Sequence, residues 1–333
     1  MTIAVLWMVL LATLGLALLA VPLVPAWREW ARPTDSKPLV VESGYAAEPD
    51  FFASRFRRSL AERTPLPPPP LSEWGRTGMP ILLPASVILD ERVEARAPVV
   101  IEGDFHASAG GAFTALLASG SIRLGPQSEV TQWIHADGAL ALDADCVTLR
   151  RASCGRTLAV SAGCSFERLH APVIAFGAQD PAVKRRAPQG ASVSFSTVRN
   201  VARRAPGLYR AEGDCSLPQD SRFDGSLVVT GSLLIGAGSV VNGDVKARKG
   251  IIVGAGASIA GAMTCQGVIH LRERAFVKGP VIAEADVWID CGAEVGGPTA
   301  PTTVTAENII VADGVVAHGT VHARDAGIVW SGA

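Results

Sequence analysis

The side chains best suited to proton transfer, nucleophilic attack or metal binding are six histidines and six cysteines. The histidines are His106, His135, His170, His270, His318 and His322. The cysteines are Cys146, Cys154, Cys164, Cys215, Cys265 and Cys291. Their spacing speaks against chemistry. There is no CxxC pair and no Cys/His cluster at zinc-ligand spacing. No histidine has a Cys, Asp or Ser partner at motif spacing. No phosphate-binding glycine loop or nucleophile elbow occurs. Glu284, Asp286, Asp290 and Glu294 are close enough in sequence for a calcium or polysaccharide-lyase site, but they do not recur as an acidic ladder, and a solvated face is the expectation. The reading is of no catalytic residue, no cofactor and no metal. A formal net charge of −1 offers no global field for nucleic acid.

A different regularity dominates. Gly225, Gly243, Gly261, Gly279 and Gly297 are 18 residues apart. Phe223, Val241, Ile259, Val277 and Val295 stand two before them, and Leu227, Val245, Met263, Val281 and Thr299 two after. A finer period of six runs through Ile235, Val241, Ala247, Val253, Ile259, Cys265 and Leu271. Six residues make a short strand and a bend, so three such units make a triangular turn that stacks on the next. The fold expected is all-β, a parallel β-helix of 18-residue, three-strand turns. A narrow core of Val, Ile, Leu and Ala needs few aromatics, and they are 6% of the chain. The count breaks at Pro298–Thr303 and resumes four residues late, with Ile309, Val311, Gly319 and Val321. A raggeder array carries Ile122, Leu140, Leu158 and Phe176 at the same spacing, and Val99–Phe105 reads as an opening turn.

The organisation expected is a transmembrane helix over 1–26, a stalk over 27–80, a first β-helical block over 81–177, a basic insertion over 178–214 and a second block over 215–333. Thr2 to Ala26 contains no charged residue and is long enough to span a bilayer core of roughly 30 Å. Arg28, Arg32 and Lys37 follow it, which by the positive-inside rule puts the bulk of the chain in the cytoplasm, where free thiols persist. In the stalk, Phe52, Phe56 and Leu60 share a helical face among Arg55, Arg57, Arg58 and Arg63. That helix suits either an anionic membrane surface or the protein's own body, and Arg28, Arg32, Arg55, Arg57 and Arg58 are the membrane-surface candidates. Pro65–Pro70 is a stiff spacer. Lys184, Arg185, Arg186, Arg203 and Arg204 make the insertion a candidate surface for lipid headgroups or an acidic partner.

The repeat also sorts the cysteines: Cys146, Cys154, Cys164, Cys215 and Cys265 fall on inward positions, as small apolar filler, and Cys291 falls off them. It places His270 outward at a bend. Two enzymatic alternatives share an 18-residue coil: a left-handed hexapeptide acyltransferase using His270 as base, and a β-helical polysaccharide-binding or lyase protein. A β-helix ends in unpaired strand edges, so Val329 and Trp330 are candidates either to close the C-terminal end or to meet a second copy.

The stretch Ile235–Ala247, with its Val-x-Gly-Asp-Val-x-Ala turn, and its continuation from Ile252 to Gly297 resemble the bactofilins, polymer-forming bacterial cytoskeletal proteins. The resemblance covers mainly 221–325. It implies a right-handed β-helix that assembles end to end without nucleotide at the inner membrane and positions envelope or cell-wall polysaccharide synthesis proteins. This chain departs from that pattern in its length, its apolar N-terminus and its basic insertion. The function expected is therefore a non-catalytic, membrane-anchored scaffold whose partners are itself, the membrane and such proteins.

Overall fold

A computed structural model describes residues 3–21, 23–24, 27–28, 51–61, 67–178 and 191–331. Two compact units divide the chain at Glu48 and Pro49. The described part of the first unit is chiefly helix α1, Ile3–Ala20, whose uncharged residues Leu6–Leu11 are largely exposed. Of the span expected to be helical over 1–26, α1 covers 18 residues, and 1–2, 22 and 25–26 lie outside the described residues. Among the described residues, no helix is long and apolar enough to cross a membrane. At 1.5 Å per residue α1 measures about 27 Å.

The second unit is the solenoid. Strands stack in parallel with a partner one turn away, and inward positions take the apolar residues. One face carries Leu227, Val245, Met263 and Val281 in register. A second carries Leu233, Ile251, Ile269 and Val287. A third carries Phe223, Val241, Ile259, Val277 and Val295. All of these are buried. The flanking residues of each strand point outward, as the two-residue pleat requires. The first block follows the same plan from Ile81–Leu83 onward, paired with Val99–Ile101. Its next turn is one residue short: Ile101 pairs with Ala118 and Ala107 with Leu124. A register shift between Phe113 and Ala115 absorbs the difference. That is why this array reads raggedly.

The 18-spaced glycines answer a close approach between turns rather than an unusual φ. A Cβ on Gly243 would meet the Gly225 carbonyl, one on Gly261 the Gly243 carbonyl, and one on Gly279 the Gly261 carbonyl. Of the five, only Gly225 has a positive φ. Gly297 has open space around its Cβ position, because there the chain leaves the wall in the tight Gly297–Ala300 bridge before the next strand begins at Thr302.

The two blocks meet tail to tail. The last strand of the first block, Ser165–Phe176, pairs antiparallel with the last of the second, Val316–Trp330, from Ser165 opposite Ile328 to Ala175 opposite Val316. Reciprocal bonds close the seam: Gly163 N–H donates to Val329 O at 2.9 Å, and Val329 N–H donates to Cys164 O at 3.0 Å. Every other stacked turn is parallel. Two C-terminal ends approach with opposed chain directions, so only antiparallel pairing satisfies both edges. One core runs through the seam, from Trp74 to Val329.

Both outer ends are covered. At the first block, Trp74 follows a short 3₁₀ turn, Leu71–Glu73, is 2% exposed, and donates from Nε1 to Pro69 O at 3.1 Å. At the second, Phe195 packs against the Phe223 ring at 4.8 Å and the Tyr209 ring at 4.9 Å. The hairpin Val201–Ala205 with Leu208–Ala211 then lays its second strand on Ser226–Val229. So the stretch read as an insertion supplies, over 191–211, the opening turn of the second block. Its 179–190 portion, with Lys184, Arg185 and Arg186, lies outside the described residues.

Gly261→Ala tests the close-approach account. The added methyl would meet the Gly243 backbone as well as the Asp244 carboxylate, and the backbone cannot swing aside, so the substitution should cost about 1–3 kcal/mol. Gly297→Ala should cost almost nothing. Urea denaturation of the two variants measures the difference.

Candidate functional site

Helix α2, Phe51–Ala61, settles on the protein's own body. Its Ala53 is buried, Phe56 meets the outward-facing Trp133 edge-on at 5.5 Å, and Arg151 lies 5.1 Å from the Phe52 ring centre. Arg57 donates to Asp137 Oδ1 at 2.7 Å. Of the membrane-surface candidates, Arg57 is therefore committed to an ion pair, Arg55 and Arg58 are exposed on the helix, and Arg28 is exposed in the first unit. Arg32 lies outside the described residues.

Beneath α2 the fold assembles a group that local spacing did not reveal. His135 Nδ1 lies 2.8 Å from Ser153 Oγ, and Nε2 lies 3.1 Å from Asp137 Oδ1. The carboxylate can only accept, so Nε2 carries a proton, and in the neutral imidazole Nδ1 accepts from the Ser153 hydroxyl. The order is Ser–His–Asp, but the hydroxyl is 97% buried under a docked helix and the carboxylate is shared with Arg57. The chain Ser153–His135–Asp137–Arg57 therefore works as a polar clasp holding α2. Ser153 is one turn above His135 in register, a signal that a search at 18-residue spacing would have found.

The other histidines lie elsewhere. His270 sits on a strand, not at a bend, pointing outward. Its Nε2 is 2.9 Å from Asp290 Oδ1, and Arg272 is 3.8 Å from the same carboxylate. His170, His318 and His322 gather at the seam. His170 Nδ1 is 2.8 Å from Thr320 Oγ1, and His318 Nδ1–H donates to Pro172 O at 3.0 Å. His322 stands opposite Arg168. Burial, with Arg168, Arg151 and Arg324 nearby, holds its imidazole below the usual histidine pKa. The acids do not converge: Asp286 accepts from Asn308, and Glu294 faces His318. Among the described residues no group of His, Cys, Asp and Glu is arranged to hold a metal.

Cys146, Cys154, Cys164, Cys215 and Cys265 are buried and Cys291 is exposed. The neighbouring Cys146 and burial push the Cys164 thiol up, and burial does the same to Cys154, Cys215 and Cys265. These are apolar filler.

Val329 and Trp330 do not stand at an open end. Val329 is buried in the seam, and Trp330 is 59% exposed on the flank of the solenoid. Outward positions on that flank stack in register as Leu234, Ile252, His270, Trp288, Ile310 and Ile328. At about 4.8 Å per rung this ladder, apolar except at His270, runs roughly 24 Å. Arg203 and Arg204 lie on the hairpin over the second block's outer end, a strand edge carrying charge.

Two outcomes follow. A maleimide should label one thiol of the native protein, Cys291, and five more only on unfolding, counted by intact mass. The depressed His322 makes the seam acid-sensitive. The unfolded chain takes up a proton near the reference value of about 6.5 while the folded chain resists it, so stability is full above that pH and falls as pH drops toward the folded value. His322→Gln should flatten this slope in urea titrations across that window.

Neither curated proteins nor solved structures yield a match to this chain. A family model does: residues 207–300, the heart of the regular block, match the bactofilins, described as polymer-forming cytoskeletal.

Proposed function

We propose that the chain is a non-catalytic scaffold of bactofilin type that self-associates and is held at the cytoplasmic face of a bacterial inner membrane by its N-terminal segment. There it positions envelope or cell-wall synthesis proteins. The observation that carries the scaffold reading is the match of 207–300 to a polymer-forming family, over turns that stack without interruption into one core. The right-handed winding implied by the resemblance belongs to the same reading.

Membrane attachment draws on separate support. Thr2 to Ala26 is uncharged, and α1 presents apolar side chains all round, with no polar face to lay against water. Its about 27 Å falls a few ångströms short of a hydrocarbon core, a mismatch that bilayers accommodate at modest cost. The Arg28 and Arg32 that follow favour a cytoplasmic body.

Self-association has to use what the tail-to-tail seam leaves. That comprises the two covered outer ends and the apolar flank bearing Trp288, Ile328 and Trp330, which are 43%, 45% and 59% exposed. An exposed, mostly apolar ladder is a surface on which a second copy buries apolar area without disturbing the core.

Full-length protein should sediment with membranes and resist extraction by high salt. In detergent it should form species larger than a monomer, growing with concentration, by sedimentation velocity and electron microscopy. Recovery in the soluble fraction would remove the membrane part. A strictly monomeric species at every concentration, with the β-sheet circular dichroism intact, would remove self-association.

A further inference from the structure

The hairpin at the outer end of the second block does more than cover the core. Between it and the adjacent sheet face lies an open groove of about 560 Å³, lined by Arg204, Leu208, Arg210, Val228, Lys246 and Arg248 among others. The register fixes the layout. Arg210, Val228 and Lys246 are successive rungs of one outward ladder. The two cations therefore stand about 10 Å apart with an apolar rung between them. Arg248 stands in the bend just past that strand, two residues beyond Lys246, and also lines the groove. Arg204 overhangs from the hairpin. Glu212, which pairs with Arg210 at 2.9 Å and Arg204 at 3.6 Å, is the acid beside them. Lys246 and Arg248 are both exposed. Four cations against one carboxylate leave a net positive groove with an apolar floor of Leu208 and Val228.

We propose that this groove binds an extended acidic segment of a partner protein, one in which carboxylates alternate with apolar side chains. A segment lying in the groove would set carboxylates against Arg210, Lys246 and Arg248 and apolar side chains over the Val228 and Leu208 floor. Charge complementarity would set both selectivity and approach rate. The concavity favours a chain over a lipid surface, because a bilayer cannot enter a groove walled by a hairpin. The inference rests on the scaffold reading only in supplying the partner surface a scaffold requires.

The test uses full-length protein in neutral phosphatidylcholine nanodiscs and fluorescein-labelled peptides of alternating Glu and Leu, or Gln and Leu, read by anisotropy. The Glu–Leu peptide should bind saturably, and binding should weaken steeply with salt. Lys246→Glu with Arg248→Glu should weaken it at least tenfold. The Gln–Leu peptide should not bind. Both substituted positions face outward, so circular dichroism and sedimentation of the double variant should be unchanged, which separates failure of the groove from failure of assembly. The proposal is overturned if the Glu–Leu peptide fails to bind, or binds the double variant equally well. It is also overturned if residues 204–248 gain hydrogen-exchange protection only in phosphatidylglycerol discs and no peptide binds, an outcome that would assign the cations to lipid.

Discussion

A solenoid pairs every strand with the turn before and the turn after, and so it has two ends at which pairing stops. That constraint governs the unusual features of this protein. Open strand edges over an exposed core invite uncontrolled association. The chain removes two such ends by turning them on each other. Ser165–Phe176 and Val316–Trp330 join two rising arrays into one body whose chain direction reverses at the middle. Trp74 and the Phe195 hairpin then close what remains.

The placement of large rings follows from the same constraint. Mid-array turns are filled mainly by Val, Ile, Leu, Met, Ala and Cys, whose volumes suit a narrow triangular core, with Phe105 and Phe113 at the short turn of the first block. Where the repeat stops, the space is irregular. Trp74 plugs one outer end, Phe195 with Phe223 the other, and Phe166 with Phe176 lies beside the seam, their centroids 6.0 Å apart. A chain that is only 6% aromatic thus places several of its aromatic rings where the periodicity fails.

This explains what could be read from the residues alone. Periodicity is a local property, so the 18-residue register, the inward stripe and the inward cysteines were legible without coordinates. The glycine positions were legible too, although their cause is backbone crowding between turns rather than an unusual φ. The seam was not legible, because nothing in either array encodes which end meets which. Pairing across it joins residues about 150 apart with no common period, such as His170 and Thr320. Nor was the Ser153–His135–Asp137 clasp: it needs one partner a turn away and another two residues away, and its purpose depends on α2, which joins from outside the repeat. The basic stretch was visible as composition but read as an insertion, although Gly207, 18 residues before Gly225, already keeps the period; its hairpin of arginines hid the apolar stripe. Lys246 and Arg248, which complete the groove there, are distributed through the regular turns and look individually like solvated charges.

Function in such a body must lie on its outside. Inward positions are committed to the core, and the corner glycines to the approach of adjacent turns. Each strand leaves only its outward residues free to vary, but those are not independent, since register stacks them into ladders at fixed spacing. A single substitution on a globular surface creates a point, whereas the same outward position repeated over several turns creates a line. The ladder from Leu234 to Ile328 and the cationic rungs around Val228 are two such lines, on different faces of one solenoid. Because the core does not constrain their chemistry, an apolar line for one kind of contact and a charged line for another can coexist without competing for the same residues. On the proposed reading, such separation would let the chain join copies of itself and hold a partner at the same time.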